Sequence, residues 1–294
     1  MSEDAATDAF VAHRNLLFTV AYEMLGSAAD AEDVLQETWL RWSGVDQGTV
    51  RDPRAYLVRI ATRQALTRLR TLHRRKEDYV GPWLPEPLLT APDVAEDLEL
   101  ADSVSMAMLL VLETLTPTER AVFVLRDVFA LEYDEIAAAV DKTPVAVRQI
   151  AHRAREHVAA RRPRSAASRT DTRAALDAFQ RAVETGDLQG LLDILAPDVV
   201  ALGDGGGVAQ AVRKPVVGAK KVGNLLRAGV TRFGAEMTVE PVQVNGYPAL
   251  LARIGGRLDG ILTVRVDDGL VTGLYYVRNP EKLSRVERET TVTR

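Results

Sequence analysis

The chain contains no cysteine. That excludes disulfides and cysteine–zinc sites, and it suits a reducing cytoplasm, the location expected for it. No apolar run approaches membrane-spanning length, and the N-terminus lacks the apolar core of a signal peptide. A net positive charge is also missing, since the chain carries −4. A uniform −4 would disfavour nucleic acid, but local field decides where phosphates go, and here the charge is segregated. Histidine stops at His157, so the remainder lacks the usual proton carrier near neutral pH. With 294 residues, 47% hydrophobic and 27% charged, there is room for two or three ordinary globular domains.

The most informative stretch runs from Thr116 to Val158. Thr116, Pro117 and Glu119 form a helix start: hydroxyl cap, proline at the first position, glutamate at the third. A short helix follows with Tyr133, Ile136, Ala137 and Val140 on one face. Asp141 and Lys142 break it, and Thr143 caps a last helix just before Pro144. In that helix Val147, Ile150, Ala151, Ala154 and Val158 share one side. Arg148, Gln149, His152 and Arg155 share the opposite side, with Arg153 at its edge. This is the layout of a helix-turn-helix whose last helix enters a DNA major groove. Arg and Gln ends suit purine edges, and Lys142, Arg161, Arg162 and Arg164 would add phosphate contacts. A solvated basic surface helix is the plainer alternative, weakened by the caps, the break and the split face.

Residues 8 to 76 read as helical, with breaks near Gly26–Ser27 and Ser43–Thr49. In Asp30–Trp42, Ala31, Val34, Leu35, Thr38 and Trp42 face one way, and Asp30, Asp33 and Glu37 form an acidic stripe beside them. Such a stripe is either a solvated surface or a dock for an arginine-rich partner. A longer helix starts at Asp52–Pro53. Its inward face carries Leu57, Ala61, Ala65, Leu69 and Leu72, while Arg59, Arg63, Arg70 and Arg74 line the opposite side with Tyr56. A single-sign arginine stripe repels itself unless an anion covers it, so phosphate binding is expected. Around it, Arg51, Arg54, Arg68, Arg75 and Lys76 add charge. The next segment is acidic: Glu86, Asp93, Glu96, Asp97, Glu99 and Asp102 either solvate a linker or compete with DNA for the basic faces.

Two basic helices in separate helical domains, joined by a proline- and acid-rich segment, resemble a bacterial sigma factor of the extracytoplasmic-function class. The resemblance covers residues 8 to about 162. It implies that DAEDVLQETWLRW binds core RNA polymerase through Asp30, Asp33, Gln36 and Glu37. It implies that the arginine helix binds the −10 promoter element through Arg54, Tyr56, Arg59, Arg63, Arg70 and Arg74, with a flipped base held in the break from Ser43 to Asp52. It also implies that Thr143, Arg148, Gln149, His152, Arg153 and Arg155 bind the −35 element. The protein itself would do no bond chemistry.

The linker Tyr79–Leu89 holds three prolines and a tryptophan. Proline makes it extended and semi-rigid, and Trp83 is expected to pack against the C-terminal domain. From about Asp171 the pattern changes to helices at 171–185, 188–195 and 219–228, then strands at 237–245, 248–256, 259–267 and 270–278. Gly255–Gly256 and Asp268–Gly269 read as hairpin turns. This pattern resembles the SnoaL-like cone, an α+β fold that often holds a pocket. Asp204, in the Gly203–Gly207 turn, and Asp259 are the acids such a pocket would use, but without a histidine catalysis is not expected.

Taken together the pieces resemble extracytoplasmic-function sigma factors with a fused SnoaL-like domain. That resemblance implies a multidomain fold: two all-α sigma domains, the second a helix-turn-helix, followed by an α+β SnoaL-like cone-shaped barrel. The expected boundaries are 5–78, a linker at 79–98, 99–164, 170–284 and a basic tail at 285–294. It implies an interdomain regulatory set of Trp83 and Pro85 in the linker, Asp204, Gly205 and Gly206 in the turn, and Asn279, Pro280, Lys282 and Leu283 in the late motif. There glutamate at 281 replaces the family's aspartate. The tail arginines Arg285, Arg288 and Arg294 would modulate the contact. Expected partners are core RNA polymerase and promoter DNA, double-stranded and melted, with no membrane and no separate anti-sigma protein; no cofactor or metal is expected. The alternative is a one-component DNA-binding regulator that senses a small ligand through a C-terminal pocket.

Overall fold

The structure, a computed structural model, describes residues 3–77, 79–91, 98–161, 169–186, 188–286 and 289–293. Helix α1 (Glu3–Leu25) turns at Gly26–Ser27 into α2 (Ala28–Trp42), whose first turn is capped by the Ser27 hydroxyl accepting from Asp30 N–H. A single turn at Gln47–Thr49 leads to α3 (Pro53–Glu77), capped by the Asp52 carboxylate accepting from Ala55 N–H at 3.0 Å. Leu57, Ala61, Ala65 and Leu69 are buried, and α1, α2 and α3 pack mutually. Trp42 is fully buried, and its indole N–H finds the Ala6 carbonyl at 2.8 Å, as a buried indole requires.

The second helical unit comprises α4 (Leu98–Val104), α5 (Met106–Leu112), α6 (Pro117–Phe123), α7 (Tyr133–Val140) and α8 (Pro144–Ala159). Thr116 and Glu119 form a capping box on α6, which runs on into a π-helical turn at Val124–Val128. Asp141 ends α7 in the left-handed region, at φ 57°, and Thr143 caps α8 by accepting from Ala146 N–H at 3.2 Å. The two helical units are not separate bodies. Helices α6 and α7 lie against α3, and one apolar cluster runs from Leu17 and Leu57 through Val122 and Ile136 to Val158.

The C-terminal unit starts with α9 (Arg169–Thr185) and α10 (Gln189–Leu192). Strand β1 (Leu195–Asp204), strand β2 (Val216–Val217) and α11 (Ala219–Phe233) follow. Strands β3 (Met237–Val244), β4 (Tyr247–Ile254), β5 (Arg257–Asp267) and β6 (Leu270–Val277) form a meander, and α12 (Pro280–Leu283) closes the unit. The sheet order is β2-β1-β6-β5-β4-β3, with β1 parallel to β6 and the other pairs antiparallel. Both expected hairpin turns have positive φ at each central residue, the requirement of a type I′ turn.

Residues 195–204 were not expected to form a strand, and the Gly203–Gly207 segment was read as a turn alone. It begins inside β1, and the turn starts only after Asp204. Pro197 and Asp198 interrupt the alternation, the register shifts between Leu195 and Val200, and the parallel partner β6 lies far along the chain. No local hairpin signal marks such a strand. Helix α10 is also shorter than expected, and α11 runs on to Phe233.

Candidate nucleic-acid interface and linker clamp

Helix α8 splits cleanly. Val147, Ile150, Ala151, Ala154 and Val158 are buried, while Thr143, Arg148, Gln149, His152, Arg153 and Arg155 are exposed. The polar side is partly held in place. The Arg155 guanidinium bonds Asp127 at 2.7 Å, and the Arg148 and Arg126 guanidinium groups lie 5.3 and 4.6 Å from the Tyr133 ring centre. Arg153 stands 4.0 Å from Glu119, and His152 3.7 Å from Glu156. A base edge would therefore compete with one close ion pair, at Arg155, and with weaker contacts elsewhere.

On α3, Arg54, Arg63 and Arg70 are exposed, whereas Tyr56 and Arg59 are half-buried. The Tyr56 ring packs 5.7 Å from the Trp42 ring, with Arg59 4.6 Å over it. Arg63 donates to the Ala138 carbonyl of α7 at 2.9 Å, so this arginine bridges the two helical units. The side chains of Arg74, Arg75, Lys76 and Glu99 lie outside the described residues, as do Asp93, Glu96, Asp97, Arg162, Arg164, Arg288 and Arg294.

The acidic stripe of α2 meets its first arginine within its own chain. Arg68 of α3 binds Asp30 and Asp33, each at 2.5 Å. Gln36 and Glu37 remain exposed, with Gln64 lying between Glu37 and Arg41.

Asp204 is the centre of a different arrangement. It is fully buried, and its carboxylate accepts from Tyr79 O–H (2.7 Å), Gly206 N–H (3.0 Å), Leu84 N–H (2.9 Å) and Lys282 Nζ (2.7 Å). Lys282 also donates to the Leu84 carbonyl at 2.5 Å and sits 4.0 Å over the Trp83 ring. Burial pushes the Lys282 pKa down, and the adjacent Asp204 opposes that shift. Asn279 caps α12, donates to Tyr79 O–H at 2.9 Å and packs on the turn. A Cβ on Gly206, at φ 62°, would come within 2.4 Å of the Asn279 side chain, and one on Gly205 within 2.1 Å of the Ala209 carbonyl. Pro85 and Leu283 are buried, while Pro280 is exposed at the first position of α12. Thus the turn after β1 and the late motif grip the linker from two sides.

The linker is held equally from the N-terminal side. Trp83 lies against Gly26 as well as Lys282, so its packing is shared between domains and not confined to the C-terminal one. Glu86 is not the solvating or DNA-competing acid that its acidic segment suggests. It is 3% exposed, and its carboxylate accepts from Ala28 and Ala29 N–H at the start of α2, where unpaired N–H groups favour an anion.

Residues 9–75 match the family described as Sigma-70 region 2, and residues 105–158 match Sigma-70, region 4. The ECF RNA polymerase sigma factor SigJ of Mycobacterium tuberculosis is 36% identical over 94% of this chain and 92% of its own length. The probable ECF sigma factor SigI of the same organism is 30% identical over 97% of each chain. A crystal structure of SigJ superposes with a TM-score of 0.76 at 32% identity, covering 95% of this chain and 98% of that one. The chain belongs to the extracytoplasmic-function sigma factors. Its third unit is an α+β domain of helices on one six-stranded sheet.

In this sigma factor, region 2 is α1–α3 and the helix-turn-helix of region 4 is α7–α8. Sequence reasoning missed the residue that joins all three units. Asn245, in the β3–β4 turn, donates to Tyr22 O–H (2.6 Å) and the Val104 carbonyl (2.8 Å), and accepts from Leu88 N–H (3.0 Å). The Asn-Gly pair at 245–246 was a legible hairpin signal, but nothing local announces that the turn faces helices. Arg120 was missed too: it is 1% exposed, ion-pairs with Glu113, and donates to the Glu23 carbonyl at 2.9 Å. Glu23 itself is buried against Ser103 (2.8 Å), and burial pushes its carboxyl up to about 8. The tail adds contacts of its own. Val292 is buried in the helical core, Thr293 N–H reaches Thr19, and Arg285 stands 3.8 Å from Glu32.

The two pocket acids also separate. Asp204 does not line the cavity of the C-terminal unit, whereas Asp259 does. No candidate metal cluster occurs among the described residues, and none of their helices is long and apolar enough to cross a membrane.

Proposed function

We propose that this sigma factor is held in a closed state by its own C-terminal domain, which acts in place of a separate anti-sigma protein. The single observation that carries the reading is the linker clamp. Asp204 and Lys282 bind the backbone of Leu84 on one side, and α2 binds Glu86 two residues later on the other.

The geometry explains why a clamp there matters. The −10 and −35 elements are roughly 25 base pairs apart, or roughly 85 Å of B-form DNA at about 3.4 Å per pair. Helix α3 is about 37 Å long at about 1.5 Å per residue, and α6 and α7 pack directly upon it. Two readers folded together cannot occupy sites that far apart. Opening must separate α7 from α3, free Arg63 from the Ala138 carbonyl and release the linker between the two units.

In the open state we assign Asp30, Asp33, Gln36 and Glu37 to core polymerase. The −10 element goes to Arg54, Tyr56, Arg59, Arg63, Arg70 and Arg74, and the −35 element to Thr143, Arg148, Gln149, His152, Arg153 and Arg155. Arg68 neutralises part of the polymerase-binding acid, so that surface also needs a local exchange of partners. The test is affinity for core polymerase. Full-length protein with Lys282→Met should bind core more tightly than wild type. Equal affinity would remove the restraining role of the C-terminal domain.

A further inference from the structure

Two arginines on the exposed side of α8 are held in place by residues outside that helix. Arg148 and Arg155 are seven residues apart, two helical turns, and so share one side of α8. The Arg148 guanidinium lies 5.3 Å from the centre of the Tyr133 ring, at the start of α7, within range of a cation–π contact. The same ring has a second cation against it. Arg126 lies 4.6 Å from the ring centre and is itself tied to the Leu131 carbonyl at 2.6 Å.

Arg155 is held differently. Its Nε donates to Asp127 at 2.7 Å, a charge-assisted bond between side chains 28 residues apart. Asp127 sits in the π-helical turn Val124–Val128, where Phe129 N–H reaches back five residues to the Val124 carbonyl at 3.2 Å. Turns of that kind are rare and occur mostly at functional sites. The pair adds little to folding, because both side chains are partly exposed, 45% for Arg155 and 25% for Asp127.

The direction of the bond matters more than its strength. An arginine fork carries Nε–H on one edge and two Nη groups at its end. Asp127 takes Nε, which orients the guanidinium and leaves the Nη pair that can grip O6 and N7 of a guanine. The Tyr133 ring accepts no conventional hydrogen bond from Arg148, so that fork too is left for a base. Orienting a long side chain in advance also removes part of the entropy cost of immobilising it on DNA.

We propose that Asp127 and Tyr133 are positioning residues for promoter reading: Asp127 aims Arg155, and Tyr133 aims Arg148, each at a guanine of the −35 element. This rests on the base-reading role given to α8 above. Asp127 has a second effect. Its carboxylate stands beside a face that meets phosphates, so it lowers affinity for every duplex while sharpening the choice among them.

The test uses holoenzyme reconstituted from the full chain and core polymerase. It selects from duplexes randomised through both the −35 and −10 windows, and the recovered sequences are counted. Wild type should enrich guanine at two −35 base pairs, and Arg148→Ala and Arg155→Ala should each erase one. Tyr133→Leu should cut enrichment at the Arg148 base pair roughly fivefold, and Asp127→Ala should do so at the Arg155 base pair. Tyr133→Phe and Asp127→Asn, which keep the ring and an acceptor oxygen, should restore most of it. Asp127→Ala should also bind non-cognate duplex more tightly, whereas loss of a merely structural contact would weaken both. Added to Arg148→Ala, Tyr133→Leu should change the selected sequences no further.

The two pairs are judged separately. A −35 motif without guanine, or arginine replacements that leave it unchanged, would remove base reading by α8 and this proposal with it. If the arginine replacements erase their guanines while Tyr133→Leu and Asp127→Ala leave enrichment intact, the positioning roles fail and base reading stands. Conservative variants that restore no more enrichment than leucine and alanine would likewise overturn the positioning roles.

Discussion

Replacing Lys282 by methionine probes the clamp where its energetics are sharpest. Methionine keeps the length and apolar character of the stem but deletes the ammonium. The loss includes the 2.7 Å bond to Asp204, the 2.5 Å bond to the Leu84 carbonyl and the charge over Trp83. Removing one member of a buried pair costs about 3–5 kcal/mol, chiefly because the other charge is left without compensation. Here Asp204 retains three donors, from Tyr79, Gly206 and Leu84, which places the expected cost at the low end, about 3 kcal/mol. At about 1.4 kcal/mol per tenfold, that is roughly a hundredfold rise in clamp opening. Hydrogen exchange at the Leu84 amide reports this opening directly, since that N–H is bound to Asp204. Protection there should fall roughly a hundredfold, with amides of β4 and β5 unaffected. The double variant Asp204→Asn with Lys282→Met should recover most of it, because the stranded charge is gone. A fall of less than threefold in the single variant, or simple additivity in the double, would refute the reasoning.

Closure should depend on pH through Glu23. Its folded pKa is raised to about 8, so its stabilising contribution is complete below the unfolded value near 4.5 and is lost as pH rises through 8. The slope is at most about 1.4 kcal/mol per pH unit, and Glu23→Gln should flatten the corresponding change in melting temperature. Replacing Arg148 or Gln149 by alanine should alter −35 sequence preference, costing about 1–3 kcal/mol per lost bidentate contact; equal losses on every promoter would argue against base reading. Arg70→Ala should weaken DNA binding across sequences and lower its salt dependence, measured as the slope of affinity against salt. Asp33→Arg with Glu37→Arg should abolish binding to core polymerase, and intact binding would remove the role assigned to the acidic stripe.

The parts legible in the sequence are those whose partners are local. The Thr116 and Thr143 caps, the split face of α8 and the type I′ turns each follow from a few neighbouring residues. Glu86, Arg68 and Asn245 were illegible for the opposite reason. Each has a chemistry that fits a surface, and only the tertiary fold brings it to an N–H pair, an acidic stripe or a junction of three units. Strand β1 failed for both reasons, with a broken pattern and a distant parallel partner. For Asp204 the residues alone suggested a pocket acid, whereas the family resemblance put it with the linker; it bonds Tyr79 and Leu84 there, and its glycines pack closely against Asn279 and Ala209.

The most direct measurement is run-off transcription with core polymerase, comparing full-length wild type with full-length Lys282→Met at equal concentration. The account predicts that loosening the clamp raises the yield of transcript from the cognate promoter, with the start site unchanged. An equal or lower yield, from a variant whose linker is shown by hydrogen exchange to be released, would contradict the claim that the C-terminal domain restrains this sigma factor.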